Sequence, residues 1–244
     1  MQTELLYLLI ASVFIIAVLY SAVGHAGASG YIAVMSLLSL APNEIKPTAL
    51  TLNILVGSIA AWQFYKAGHF SWALFWPFAI LAVPFAFIGG VINLPAHLFK
   101  TILGAVLLYS AFRFFVQSKQ SAQTQSPPMW AALVSGAVIG LLSGLTGTGG
   151  AIFLTPLMLF KGWSEPKRAA AVSALFVLLN SAAGLAGFMT SNTALPNYIA
   201  PMLLAAALGG TIGSYMGSRR VQPATIKKLL AVVLLIAGLK LIFT

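Results

Sequence analysis

Two stretches of this chain combine residue types and spacing that could do chemistry. Gly24-His25-Ala26-Gly27-Ala28-Ser29-Gly30 and Gly144-Leu145-Thr146-Gly147-Thr148-Gly149-Gly150 share the pattern G-x-x-G-x-x-G, 120 positions apart, each between apolar runs. A glycine-rich break leaves backbone N–H groups unshielded, and a helix starting directly after it adds the positive end of its dipole, so the pair suits a small anion. Gly27, Ser29, Gly30, Gly147, Thr148, Gly149 and Gly150 are therefore the candidate cradle, with Ser29 and Thr148 supplying hydroxyl donors. The structural alternative is that these small residues only let helices approach closely, as they do throughout membrane bundles. Duplication in register favours a functional break.

The elements that must position these breaks are apolar helices. Of 244 residues, 60% are hydrophobic and 7% charged, with three Glu and no Asp, and runs such as Leu5 to Val23 are long enough to cross a hydrocarbon core of about 30 Å. The expected fold class is all-α: a polytopic integral membrane helix bundle with segments near 5–23, 30–41, 48–65, 73–91, 98–116, 130–143, 150–160, 169–190, 196–216 and 224–243. The second and seventh are too short to cross unaided and read as half-helices. A polar stretch over 118–129 separates a first repeat at 1–117 from a second at 130–244. Glu44 and Lys46 match Glu165 and Lys167 at an offset of 121, Pro77 matches Pro201 at 124, and Pro95 matches Pro223 at 128. An offset that drifts in one direction is what small insertions in a duplicated unit produce.

The net charge of +10 reads as topology, with no nucleic-acid partner, because the basic residues sit in short loops and at segment ends. With alternating segments, one face holds Lys66, Arg113, Lys119, Lys161, Lys167, Arg168, Arg219, Arg220, Lys227 and Lys228, and the other only Lys46, Lys100 and Lys240. The richer face is expected to be cytoplasmic, with both termini periplasmic or extracellular and the chain in a cell inner (plasma) membrane. Five segments per repeat make the repeats inverted; four would make them parallel. The first apolar run lacks the basic flank of a secretory signal and reads as part of the mature fold. With no cysteine, thiolate metal sites and thiol catalysis are excluded, and no residue pattern asks for a cofactor or metal.

Asn53, Ser173 and Asn180 fall inside apolar segments, where lipid offers no hydrogen-bond partner, so they should face the interior, either as ligands or as bonds between helices; Thr51 is a weaker case. Glu44 with Lys46, and Glu165 with Lys167, read first as helix starts capped by Asn43 and Ser164 and second as gating pairs at two mouths. His25, His69 and His97 are lone histidines, and no carboxylate lies deep in an apolar segment, so proton coupling has no support. A negative interior drives an anion outward at about 2.3 kcal/mol per charge per 100 mV. Trp62, Trp72, Trp76, Trp130 and Trp163 read as interfacial anchors.

Gly24 to Gly30 with Tyr31-Ile32-Ala33-Val34, then Ser143 to Gly150, then Lys167 to Phe176 and Asn180-Ser181, resemble the sulfite exporter TauE/SafE family over nearly the whole chain. The first glycine motif, with Ala-Ser in place of Thr-Gly, is the looser match. That resemblance implies a membrane permease for sulfite, organosulfonates or related small anions, and no enzyme. A rival arises because Gly27-Ala28-Ser29-Gly30 also resembles the G-x-S-G nucleophile motif of rhomboid intramembrane proteases, for which His69 or His97 would serve as base. A membrane assembly subunit without transport of its own is the third reading. The oligomeric state, a homo-oligomer included, stays open.

Overall fold

The computed structural model describes residues 3–92, 94–115, 124–190 and 195–220, with 235, 239 and 242. Among these the helices are α1 (Thr3–Ser21), α2 (Ala28–Leu37), α3 (Pro42–Lys66), α4 (Trp72–Val91), α5 (Ala96–Phe115), α6 (Met129–Thr146), α7 (Ala151–Phe160), α8 (Pro166–Met189) and α9 (Ile199–Arg219). The described residues include no strand, and α1, α3, α4, α6, α8 and α9 are long and apolar enough to cross a membrane. The chain is thus a multi-pass membrane protein of the all-α class. Apart from Leu235, Leu239 and Ile242, which are helical, the tenth expected segment lies outside the described residues, Lys227, Lys228 and Lys240 included, as does Lys119.

Most segment ends fall within three residues of expectation, and the exceptions have local causes. The third helix begins at Pro42, six residues before the expected start, because Pro47 is accommodated inside it and does not stop it. The second ends at Leu37, where Ser39 takes the left-handed φ of 60° and turns the chain. Capping by Asn43 and Ser164 is corrected: Ala41 and Glu165 occupy the cap positions without side-chain bonds, and Pro42 and Pro166 start the two helices. Proline at the first position needs no such cap for its own missing N–H. Ser71, by contrast, does cap α4, accepting from the Leu74 amide at 3.4 Å.

Relative directions follow from residues that face one another. On α6, a methyl added to Gly136, Gly140 or Gly144 would strike the carbonyl oxygen of Phe78, Ala82 or Ala86 on α4, so these two helices run parallel. On α9, Gly209, Gly213 and Gly217 meet Phe14, Val18 and Ala22 of α1 in the same parallel sense. The central pair α3 and α8 is antiparallel, since Lys46 reaches Phe188, Gly57 meets Leu178, and Phe64 clusters with Ala170 and Ala171. Each of them has one parallel neighbour: α8 lies along α4, with Trp163 beside Phe78 at one end and Gly184 against Gly90 at the other. Similarly α3 lies along α9, with Val56 against Gly210 and His69 bonded to the Ser218 carbonyl.

The two short helices turn back along the helices that precede them. Gly30 of α2 stands against Ile16 and Tyr20 of α1. In the other case Gly150 stands against Ile139, midway along α6, and Gly162 after α7 accepts from the Gln125 amide before α6. Ten residues of helix rise about 15 Å, so neither α2 nor α7 spans a bilayer, and each begins part-way through it. Lys66, Lys161, Lys167, Arg168, Arg219 and Arg220 gather at the end of the bundle where α4, α6 and α8 begin. Trp62, Trp72, Trp76 and Trp130 ring this end and are 51–71% exposed, as interfacial indoles are.

Because lipid gives no hydrophobic drive for helix pairing, this glycine stripe is what lets α4 and α6 touch through their backbones. Gly140→Leu should therefore lower the thermal midpoint of detergent-purified protein by the equivalent of about 1–3 kcal/mol or prevent folding. Val138→Leu, at a 54% exposed position of the same helix, should stay within about 0.5 kcal/mol. Equal midpoints for both variants would refute the close α4–α6 contact.

Candidate functional site

The second glycine motif forms the gap between α6 and α7. Gly147, Gly149 and Gly150 have φ of 81°, 73° and 87°, left-handed values that only glycine adopts without strain. The last of them caps α7 with no side chain to offer. Its carbonyl takes the amides of Phe153 and Leu154, while those of Ala151 and Ile152, in the first turn, have no carbonyl one turn earlier to bond. This N-terminus lies at mid-depth, level with Ile139 of α6 and Phe176 of α8.

Three polar side chains close around it. A methyl built on Gly149 would stand 3.1 Å from Ser181 Oγ and 3.2 Å from Asn53 Nδ2, and one on Gly150 would stand 3.5 Å from Asn180 Nδ2. Asn53, Asn180 and Ser181 are fully buried. Asn53 donates to the Gly147 carbonyl at 3.4 Å, which leaves its Oδ1 without a partner; Asn180 has neither Nδ2 nor Oδ1 paired, and Ser181 Oγ is unpaired. Leaving a buried polar atom without a partner costs about 1–3 kcal/mol, and several lie side by side here, among the apolar side chains of Val177, Ile139 and Phe176 that also pack against the two glycines. The other side chain of the motif is engaged: Thr148 Oγ1 pairs with Thr146 Oγ1 at 3.0 Å.

Around the first motif the surroundings are aromatic. Gly27 faces the ring of Tyr31, whose hydroxyl donates to the Ala26 carbonyl at 2.9 Å. Ser29 Oγ donates to the Tyr20 hydroxyl at 3.2 Å, and Gly30 packs on Ile16 and Tyr20. Although both breaks introduce half-helices, Gly27, Ser29 and Gly30 are packed by tyrosines, whereas Asn53, Asn180 and Ser181 bring unpaired atoms beside Gly149 and Gly150. Ser173 shares a 2.7 Å bond with Thr155 of α7 and ties that half-helix to α8.

The four charged candidates separate. Lys46 is buried, its ammonium donating to the carbonyls of Gly89 and Gly90 at 3.1 Å and of Ile92 at 3.3 Å, over the ring of Phe188 at 5.6 Å. Its counterpart Lys167 is exposed, like Glu165. Glu44 lies beside Tyr198 at the start of α9, where burial first and the neighbouring carboxylate second push the phenol up to about 12. That hydroxyl stays protonated throughout the physiological range.

Ser29 is buried and bonds to Tyr20, while His69 bonds to the Ser218 carbonyl and His97 is exposed, so the described residues assemble no serine–histidine pair of the kind the protease rival requires. Sequence reasoning missed Ser181, although a second polar residue directly after Asn180 in an apolar helix was the available signal. It also missed Tyr20 and Tyr31, whose hydroxyls are invisible to a search for small residues.

A bundle of membrane-crossing helices around a mid-depth half-helix N-terminus with unpaired polar side chains has the build of a membrane transporter. Residues 9–241 match the family described as Sulfite exporter TauE/SafE. Over its full length the chain is 45% identical to the probable membrane transporter protein y4hK of Sinorhizobium fredii, all of which is covered. It is 25% identical to the probable membrane transporter protein MJ0441 of Methanocaldococcus jannaschii, over 96% of this chain and 94% of that one. A probable membrane transporter protein of Haemophilus influenzae is also 25% identical, over 81% of each chain. No solved structure matches. The chain belongs to the TauE/SafE sulfite exporter family, whose members are membrane transporters and not enzymes.

Replacing an unpaired buried amide with an apolar side chain of similar size removes a penalty. Asn180→Leu should thus leave the thermal midpoint unchanged or raise it by the equivalent of up to about 1–3 kcal/mol, while weakening anion binding measured by titration. Loss of stability with binding intact would mean that Asn180 is a structural bond and no ligand.

Proposed function

We propose that this protein carries sulfite or an organosulfonate anion across the inner membrane, binding it at the N-terminus of α7. The observation that carries this reading is the cluster of unpaired Asn53, Asn180 and Ser181 atoms around Gly149 and Gly150. Amides of the first turn of α7, the Asn180 NH2 and the Ser181 hydroxyl donate to the anion's oxygens, and the helix dipole favours its charge. Desolvation of a small oxyanion is offset only by several such donors acting together, which is why a buried site must gather them from both α7 and α8. The family description supplies the sulfur chemistry; geometry alone speaks for a compact oxyanion.

Transport across such a site needs access from either face in turn, and the helix directions favour an inverted pair of repeats. The pairs α1 with α9 and α6 with α4 correspond under exchange of the two halves, as do α3 with α9 and α8 with α4, while α3 and α8 cross antiparallel at the centre. Half-bundles related in this way can rock against each other around a fixed site. The Lys- and Arg-rich end is the cytoplasmic one by the positive-inside rule, which puts the start of α1 outside.

Purified protein in liposomes should move sulfite down its gradient with saturation, and Asn180→Leu should reduce that flux by about tenfold or more, the loss expected when a charge-assisted hydrogen bond is removed. Unchanged flux in this variant would overturn the site; absence of flux for sulfite and for sulfonates alike would overturn the substrate class. A reporter fused after Ser126 should be active only in its cytoplasmic form, and periplasmic activity would reverse the orientation.

A further inference from the structure

Lys46 is the one buried ammonium or guanidinium among the described residues. It sits on α3 seven residues before Asn53, hence on the same helical face and about 10 Å nearer the end of the bundle where α4 finishes. Its backbone and side-chain stem lie against Gly147, the residue whose carbonyl Asn53 holds. From there its ammonium reaches across to the last carbonyls of α4 and the ring of Phe188 on α8. One side chain therefore ties three helices together beside the break, between the unpaired cluster and that face.

We propose that Lys46 is a one-sided gate: it closes the way between the unpaired cluster at Gly149 and the face where α4 ends, and an anion opens it by taking the ammonium from the α4 carbonyls. Neutral carbonyls at a helix C-terminus hold a cation by dipole alone. An oxyanion carries a full charge and forms stronger bonds to the same ammonium. The exchange thus lets an anion through and gives a cation or an uncharged solute no means of releasing the latch. Pairing with the traversing anion also removes the penalty of leaving an ammonium within the membrane without a counter-charge. Since Lys167, at the matching position near the opposite face, is exposed, no such latch forms there among the described residues, and the two directions of access are unequal. This gate rests on the transport reading, yet its test uses no transported solute.

The chain contains no cysteine, so Thr148→Cys, at a buried position in the break, supplies a single reporter thiol. Its rate of modification by a membrane-impermeant, positively charged thiosulfonate, which has no means of releasing the latch, is measured on intact cells and on inside-out vesicles, each reaching one face of the full-length protein. Adding Lys46→Gln should raise the rate from the face where α4 ends by about tenfold, as expected for loss of a charged hydrogen-bond set, and leave the rate from the other face unchanged. Lys167→Gln should change neither. If Lys46→Gln does not accumulate in the membrane, Lys46→Met, which keeps the volume of the stem, takes its place. An equal rise from both faces would assign Lys46 to general stability, and no rise from either would show that it closes nothing; both overturn the gate. One-sided labelling without sulfite flux would uphold the gate and retire only the substrate.

Discussion

Every polar backbone atom placed at membrane depth must find a partner in the protein, and the interrupted stretch from Gly147 to Gly150 is where this chain meets that constraint with the least help from its own helices. Three left-handed residues within four positions cannot pass their amides and carbonyls along an i to i−4 ladder. What surrounds them must do so: Asn53 of α3 takes the Gly147 carbonyl, and Thr155 and Ser173 fasten the half-helix beyond the break to α8. The donors left over at the start of α7 are those that an anion would need. Structure and chemistry at the break thus have the same origin, an incomplete helix sheltered from lipid.

Shelter depends on how closely the long helices pack. Glycines on α6 and α9 allow α4 and α1 to approach until backbone meets backbone, and Gly184 and Gly187 do the same between α8 and α4. Contacts of this kind tolerate no added methyl and little sliding, so they build two stiff units, α1 with α3 and α9, and α4 with α6 and α8; these meet along α3 and α8, which cross at Gly57 and Leu178. The two breaks flank that joint with different fillings, tyrosine rings at the first and unpaired amides at the second.

Much of the frame was legible in the sequence because membrane burial imposes length and composition on every span, and because prolines and glycines punctuate the ends. The half-helices were legible for the same reason: ten apolar residues between glycines cannot cross. Less legible was the partition of labour between the motifs. Both spell G-x-x-G-x-x-G, and only the third dimension brings Tyr20 and Tyr31 onto one and Asn53, Asn180 and Ser181 onto the other. Lys46 and Lys167 also read alike, since each stands two residues after a Glu at a helix start. Their difference arises from the neighbours, because α4 ends beside Lys46 and offers it three carbonyls, a contact separated by more than forty positions in the chain.

The central claim is that an oxyanion sits at the start of α7, and diffraction from crystals soaked in selenite, a heavier analogue of sulfite, tests it directly. The account expects one anomalous peak at mid-depth, within hydrogen-bond distance of the Ala151 amide and Asn180 Nδ2. A map with no peak there would contradict it.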